Sequence, residues 1–134
     1  MKSFTPSAAV MAALLLTAGA AQAAKAPAKP AGDPVKGKAT FNQQCVFCHA
    51  TAAGVEGAAP SLHNVFGRKA ASEPGFKYSA ALKASGKTWT VAGLDAFLAN
   101  PQKAVPGTAM PVALADATNR QNVIAYLASL KATH

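Results

Sequence analysis

The residues Cys45-Val46-Phe47-Cys48-His49 constrain this chain more than any other part of its sequence. Two cysteines three positions apart, followed directly by a histidine, form the C-x-x-C-H pattern of covalent haem attachment. Each thiol can form a thioether to a vinyl group on one edge of the porphyrin, and the adjacent imidazole can bind the iron from one face. We therefore predict one covalently bound haem c, attached through Cys45 and Cys48 and ligated by His49.

Disulfide exchange and zinc binding are two other uses of a C-x-x-C pair. A thiol redox protein would show a βαβ pattern around the pair, and a structural zinc site would need a second ligand pair at similar spacing. The sequence has neither feature, and its other histidines, His63 and His134, are isolated. Both alternatives are weaker than haem attachment, and the thiol redox protein, which predicts no haem, stays open at this point.

The N-terminal stretch is predicted to be an export signal. Lys2, the apolar run from Val10 to Ala18 and the motif Ala21-Gln22-Ala23 together match a cleaved signal peptide. The run is shorter than the roughly 20 residues that span a bilayer, so we expect a soluble periplasmic protein. The predicted divisions of the chain are a signal peptide (1–23), a Pro/Ala/Lys linker (24–31) and one domain (32–134).

The chain is basic, with a formal net charge of +8 and an isoelectric point of about 9.8. Positive charge speeds encounter with acidic partners and favours peripheral association with anionic membranes. Nucleic acid is another common partner of basic proteins, but the lysines here are scattered and not interleaved with aromatic residues. We therefore expect protein partners with acidic docking faces, no nucleic-acid binding, and a monomer.

The first predicted helix of the domain leads directly to the cysteine motif. Asp33 is an expected N-cap, and Pro34 suits the first helical position. Val35 and Phe41 then give the helix an apolar face as it runs towards Cys45. The motif is therefore expected at the C-terminal end of a short amphipathic helix.

Three further helices are predicted in the second half of the domain. A short helix follows its cap at Ser79, and two longer ones are opened by Thr90 and by the capping box Thr118-x-x-Gln121. Pro101 is expected to end the middle helix. The apolar positions at helical spacing are Val91, Leu94, Phe97 and Leu98 in one helix and Val123, Ile124, Leu127 and Leu130 in the other. Because no strand pattern is found, we predict an all-α chain with three main helices, short helices and loops wrapped around the haem.

The expected second axial ligand is Met110. An iron that carries electrons needs one, and a thioether or an imidazole is usual. Met110 is the only methionine after the signal segment, and it lies between Pro106 and Pro111 in an irregular loop, which suits a ligand better than a core side chain. His63 is the rival, but it is only a short loop away from His49. An open sixth position would instead indicate a gas sensor or a peroxidase.

Many motifs along the domain occur in an order that resembles a known family. They are Gly32-Asp33, Phe41, Cys45-Val46-Phe47-Cys48-His49, Ala59-Pro60-Ser61-Leu62-His63, Phe66-Gly67-Arg68-Lys69, Pro74-Gly75-Phe76-x-Tyr78, Trp89, Leu98-x-Asn100-Pro101, Pro106-Gly107-Thr108-x-Met110 and Ile124-Ala125-Tyr126-Leu127. With these motifs the chain resembles class I cytochrome c, of the mitochondrial and bacterial cytochrome c2 type. The resemblance covers essentially the whole domain from Gly32 onwards.

The resemblance implies a full set of haem ligands. Cys45 and Cys48 match the covalent attachment points, His49 the proximal ligand and Met110 the distal ligand. Pro60 matches the residue whose carbonyl accepts the N–H of the proximal imidazole. Such a contact fixes the orientation of the ring and raises its basicity as a ligand.

The resemblance also implies a site for a buried haem propionate. Arg68, Tyr78 and Trp89 match the residues that hold this group. Chemistry alone would make the two aromatic residues core side chains with a satisfied polar tip. Phe41 and Tyr126 match the packed crossing of the first and last helices, which is a structural role.

Three positions depart from the family pattern. Phe97 replaces a tyrosine that usually donates a hydrogen bond to the methionine sulfur, Ala109 replaces a usual lysine, and Val112 replaces a usual aromatic residue at the haem edge. Because of Ala109 and Val112, the ring of docking lysines found in mitochondrial members of the family is less readily assigned to this chain.

The predicted function is that of a soluble periplasmic carrier of single electrons. It would connect respiratory or photosynthetic complexes, or a dehydrogenase and an oxidase, through redox partners with acidic faces. Such a protein needs no bond-making site, so we expect no enzyme activity. The alternative is a haem enzyme, or a sensor of a gas or peroxide, in which Met110 is a labile ligand.

Overall fold

Five helices and the loops that join them make up the computed structural model, which describes residues 28–131. In chain order the helices are α1 (Pro34–Gln44), α2 (Ala80–Ala84), α3 (Val91–Ala99), α4 (Pro101–Ala104) and α5 (Ala117–Ser129). Between these helices the described backbone forms only an isolated antiparallel bridge, which joins Lys69 and Thr88. The prediction of an all-α chain with three main helices, α1, α3 and α5, is confirmed.

The predicted signal peptide, residues 1–23, lies outside the described residues, as do residues 24–27 of the predicted linker. The rest of that linker, residues 28–31, has no regular secondary structure. Within the described part of the chain, no helix is both long enough and apolar enough to cross a membrane.

Helix α1 begins as its sequence predicts. The Asp33 carboxylate accepts hydrogen bonds from the N–H groups of Val35 (2.8 Å) and Lys36 (3.3 Å), and Pro34 occupies the first turn. The predicted apolar face is wrong at Val35, whose side chain is 78% exposed. The reason is that α5 covers a different face of the helix. The buried residues of that face are Gly37, Thr40 and Phe41.

Helices α1 and α5 cross at very short range. A Cβ on Gly37 would collide with the carbonyl oxygen of Asn122, so this position accepts only glycine. The Asn122 side chain also accepts a hydrogen bond from the N–H of Asp33 (2.8 Å). One turn further, the rings of Phe41 and Tyr126 pack with centroids 5.3 Å apart. The predicted crossing of the first and last helices is therefore confirmed.

Short polar caps position the middle helices. Ser79 and Thr90 cap α2 and α3 as predicted, each accepting a hydrogen bond from a backbone N–H in the first turn of its helix. Pro101 ends α3, as predicted, and also begins α4, because proline suits the first position of a helix. The new helix is capped by the side chain of Asn100, which accepts a hydrogen bond from the N–H of Lys103 (2.9 Å).

The start of α5 differs from its prediction. The N-cap is Asp116, whose carboxylate accepts a hydrogen bond from the N–H of Asn119 (2.7 Å). The capping box at Thr118 and Gln121 is wrong, because aspartate caps at least as well as threonine and comes earlier in the chain. The apolar stripe of this helix is confirmed, with Val123, Ile124 and Leu127 all buried.

Arg120 ties the first turns of α5 to α3. Its Nε donates to the Asp95 carboxylate of α3 (2.9 Å). The same guanidinium donates to the carbonyl oxygens of Leu114 (3.0 Å) and Ala115 (2.6 Å). Gln121 adds a further hydrogen bond to Asp95 (3.1 Å). These contacts fix the loop that leads into α5 against the middle helix.

The loop before α2 is aligned by backbone pairing with the segment before α3. The N–H of Gly67 donates to the carbonyl of Trp89, and the N–H of Trp89 donates to the carbonyl of Arg68, both at 2.9 Å. Ala70 donates in the same way to Lys87 (2.8 Å). This short antiparallel contact holds Arg68 beside Trp89 on the inside of the molecule.

Candidate functional site

A cavity of about 450 Å³ lies between the three main helices and the loops that join them. Its wall is mostly apolar and includes Phe41 of α1, Leu94 of α3 and Val123 of α5. The eight predicted site residues all line it, namely Cys45, Cys48, His49, Pro60, Arg68, Tyr78, Trp89 and Met110. An apolar cavity of several hundred Å³ with a few polar groups is typical of a cofactor site.

The two cysteines lie where α1 ends. The N–H of Cys45 donates to the carbonyl of Phe41 (2.8 Å), and the chain then turns, so that the N–H groups of Cys48 and His49 both donate to the carbonyl of Cys45. Both thiols are free. Burial, with a smaller effect of Cys48, raises the pKa of the Cys45 thiol. Cysteines that exchange disulfides commonly have a lowered pKa, which is opposite to the effect of burial on Cys45.

His49 is oriented by a single strong contact. Its Nδ1 lies 2.7 Å from the carbonyl oxygen of Pro60. Because a carbonyl can only accept, Nδ1 carries the proton, and Nε2 of the neutral ring is left with a free lone pair. Burial lowers the pKa of His49, an effect that the hydrogen bond to Pro60 only partly opposes. The imidazole is therefore kept in the form that binds a metal.

The loop that carries Met110 is fixed from α4. Gln102 donates from Nε2 to the carbonyl oxygens of Thr108 (2.8 Å) and Met110 (3.5 Å). Thr108 itself is buried. Gln102 was not singled out from the sequence, because an exposed glutamine in a helix carries no motif. His63, the rival ligand, is half-buried and does not line the cavity.

One wall of the cavity is polar, and Arg68 is its centre. The guanidinium donates to the carbonyl oxygens of His63 (2.9 Å) and Ser61 (3.2 Å) and forms an ion pair with Glu73. Its Nε is buried and has no hydrogen-bond partner among the described residues. Glu73 was missed in the sequence. Because the chain has only five acidic residues, each of them, including Glu73, could have been considered as a partner for an arginine.

Tyr78 and Trp89 complete the polar wall. The Tyr78 hydroxyl accepts a hydrogen bond from the N–H of Glu73 (3.3 Å), so its own proton stays available to donate. Burial raises the pKa of Tyr78, which keeps the hydroxyl protonated. Trp89 is buried, with its ring centroid 5.0 Å from that of Phe97. Arg68, Tyr78 and Trp89, each with a hydrogen-bond donor, thus line the same cavity.

These side chains fit a haem. Two free thiols lie at one rim, an imidazole with a free Nε2 follows them, and a thioether lines the same cavity. The buried Nε of Arg68 lacks a partner, as expected of a donor kept for a carboxylate of the bound group. The apolar lining suits the porphyrin plane.

Comparison with known proteins identifies the family. Residues 34–131 match the family model described as Cytochrome c. The chain is 49% identical over 113 residues to a cytochrome c2 of Rhodomicrobium vannielii, covering 83% of this chain and 90% of that protein. It is 44% identical over 103 residues to a cytochrome c2 of Rhodopila globiformis, covering 76% and 97% respectively. The solved structure of a cytochrome c2 from Rhodospirillum centenum matches with a TM-score of 0.69 at 33% identity, covering 75% of this chain and all of that one.

The family implies one covalently attached haem, and these relatives are electron carriers rather than enzymes. A thiol redox protein without haem is therefore excluded. The sequence motifs, the helical architecture and the matched relatives all indicate the same family. The chain belongs to the cytochrome c family, as a class I, cytochrome c2-like member that carries electrons on one covalently attached haem c.

Proposed function

We propose that this protein is a soluble periplasmic carrier of single electrons whose haem iron is ligated by His49 and Met110. One observation carries the proposal. The oriented imidazole and the only methionine of the described residues line one cavity together with both cysteines. Ligation by histidine and methionine closes the iron to substrates and raises its reduction potential, which suits electron transfer.

Cys45 and Cys48 hold the haem through thioethers, and each remaining residue has a distinct part. Pro60 orients the His49 ring through the hydrogen bond to Nδ1, and such a contact raises the basicity of the ligand. Gln102 holds the backbone of the loop that presents Met110. When bound, the haem supplies a one-electron ferric and ferrous couple. The apolar wall around it excludes water.

The polar wall would bind a haem carboxylate. Arg68 would donate from its unpaired Nε, Tyr78 from its hydroxyl and Trp89 from its indole N–H. A buried carboxylate needs several such donors, because removal from water is costly unless hydrogen bonds replace the lost solvent.

The surface supports brief docking with redox partners that carry acidic faces. The chain has a net charge of +8, and most of its described lysines are exposed. Among the exposed residues that line the cavity where it meets solvent, Ala109 and Val112 are apolar, and Lys77 adds a positive charge. We propose a monomer with a small, short-lived interface to partners in a respiratory or photosynthetic chain, and peripheral association with anionic membranes.

The experiment that tests this proposal compares wild type with Met110→Ala by visible spectroscopy and redox titration. Wild type should show the sulfur–iron charge-transfer band and no prompt change of its reduced spectrum with carbon monoxide. The variant should lose the band, bind carbon monoxide and have a much lower potential. Val35→Ala, which truncates an exposed side chain that does not line the cavity, is the control and should behave as wild type.

Two results would count against the proposal. A Met110→Ala variant that keeps the band and the potential would show that another side chain is the distal ligand. Prompt binding of carbon monoxide by wild type would favour the sensor or enzyme with a labile ligand. Cell fractionation of the full chain tests the location, with the haem protein expected in the periplasm and a mature N-terminus near residue 24.

A further inference from the structure

Glu73 is a mostly buried carboxylate that lies behind the polar wall of the cavity. Its side chain is only 11% exposed, compared with 35% for Asp95, the other acidic residue that pairs with an arginine. Glu73 does not line the cavity, whereas its partner Arg68 does. Any effect of Glu73 on the cavity therefore acts through Arg68.

The remaining acidic residues have other places. Asp33 and Asp116 cap helices α1 and α5, and Asp95 is bound to Arg120. Glu56 is exposed, with its carboxylate close to Gly75. Of the five acidic residues in the chain, Glu73 alone is tied to a cation of the cavity wall.

The charges of the polar wall already cancel. Arg68 supplies one positive charge, and Glu73 pairs with it directly. Tyr78 and Trp89 donate hydrogen bonds without carrying charge. Lys77 also lines the cavity, but it is exposed, so water screens its charge far more than that of Arg68. A haem carboxylate that accepts from the free Nε of Arg68 would share a cation that is already neutralised, so the occupied wall would hold a net negative charge.

We propose that Glu73 is a positioning residue that sets the reduction potential, lowering it by neutralising Arg68. This inference rests on the proposed electron-carrier function. A bound haem would take up one electron from a redox partner without a bond forming or breaking, so the oxidised site would have one more positive charge than the reduced site. A negative charge nearby, where little water screens it, stabilises the oxidised form and lowers the potential.

The test is a redox titration of the holoprotein carrying Glu73→Gln. The amide keeps the shape of the side chain and removes its charge, so the equilibrium should shift towards the ferrous form by roughly three- to tenfold, tenfold being about 59 mV for one electron. Asp95→Asn is the matched control, since it makes the same chemical change in the ion pair that does not line the cavity. Its potential should equal that of wild type.

A second pair of variants separates charge from structure. Glu73→Ala removes the same charge by truncation and should raise the potential, whereas Glu73→Asp keeps the charge and should leave the potential near that of wild type. Equal shifts of the potential in Glu73→Ala and Glu73→Asp would overturn the inference. An unchanged or lower potential in Glu73→Gln and Glu73→Ala would overturn it as well. The sulfur–iron band of wild type tests ligation by Met110, and the potentials of the variants test the effect of Glu73. If the band is absent from wild type, the ligation is contradicted. The effect of Glu73 is then still decided by the potentials.

Discussion

The two arginines of this chain form similar ion pairs in two regions that serve different ends. Arg120, at the junction of α3 and α5, pairs with Asp95 through Nε and donates to two backbone carbonyls. Arg68, at the cavity wall, pairs with Glu73 through a terminal nitrogen and leaves its Nε buried and unpaired within the described structure. The first region is complete within the protein chain. The second lacks one partner.

The unpaired Nε of Arg68 distinguishes a binding site from a structural contact more clearly than the burial of the two arginines does. Both arginines are mostly buried, with 13% of the Arg120 side chain and 21% of the Arg68 side chain exposed. A buried donor without an acceptor costs about 1–3 kcal/mol, which folding alone would not favour. Its presence next to two further donors indicates that a ligand completes the wall.

The largest effect should come from removing the haem. A haem-free chain, carrying Cys45→Ala and Cys48→Ala and shown by its absorption spectrum to hold no haem, would leave the cavity of about 450 Å³ unfilled. Because the haem binds only the folded state, its loss removes binding energy from folding. We expect no cooperative thermal transition comparable to that of the holoprotein.

Hydrogen exchange would sharpen this prediction. Any amide protection that survives in the haem-free chain should be greater at the junction around Arg120 than around Arg68, because the contacts of the junction are complete within the protein chain. A haem-free chain with the melting temperature of the holoprotein, or with more protection around Arg68 than around Arg120, would contradict the comparison.

A smaller effect is expected from Arg120→Leu. The change leaves two carbonyls without their donor and removes the cation beside Asp95, which keeps only its hydrogen bond from Gln121. It should lower the free energy of unfolding by about 1–3 kcal/mol. The lower part of this range is favoured, since Asp95 is 35% exposed and partly solvated. Chemical denaturation of the holoprotein measures the loss.

The potential is the second measurement on Arg120→Leu, and it should not change. Lys83→Leu, at an exposed position of α2, controls for the loss of one positive charge. If the potential of Arg120→Leu moved as far as that of Glu73→Gln, the two regions would not be separate in function.

The smallest effect should come from Tyr78→Phe. At neutral pH the variant loses the long hydrogen bond that the Tyr78 hydroxyl accepts from the N–H of Glu73 (3.3 Å) and the one that it would donate to the haem carboxylate. Because Arg68 and Trp89 would still bind the carboxylate, the expected loss is only about 1 kcal/mol. Burial raises the pKa of Tyr78 in the folded protein above its unfolded value of about 10. The neutral hydroxyl therefore stabilises the fold fully below pH of about 10, and this contribution is lost as pH rises through the higher folded pKa.

The measurement is the difference in unfolding free energy between wild type and Tyr78→Phe as a function of pH. The difference should be constant at neutral pH and should shrink at alkaline pH. A difference that grew above pH of about 10 would mean that the folded protein favours the tyrosinate, contrary to the effect of burial.

Local rules predicted much of this protein. The caps at Asp33, Ser79 and Thr90 depend on residues within one helical turn, and the structure places each as expected. The same rules gave a wrong result where two neighbouring residues could both cap a helix. Asp116 and Thr118 are both good caps, and the structure begins the helix after the first of them. Val35 has the apolarity of a core residue, but nothing in its neighbourhood reveals which face of α1 the distant α5 covers.

The sequence by itself determined the chemistry of the site: the spacing of Cys45, Cys48 and His49 indicates haem attachment, and Met110 is the single thioether available to the domain. Only the tertiary structure decided how the charges around the cavity are arranged. The pair between Arg68 and Glu73 and the unpaired Nε of Arg68 arise because loops fold against the segment before α3. Such contacts follow from the path of the chain in space, and no periodicity or spacing records them.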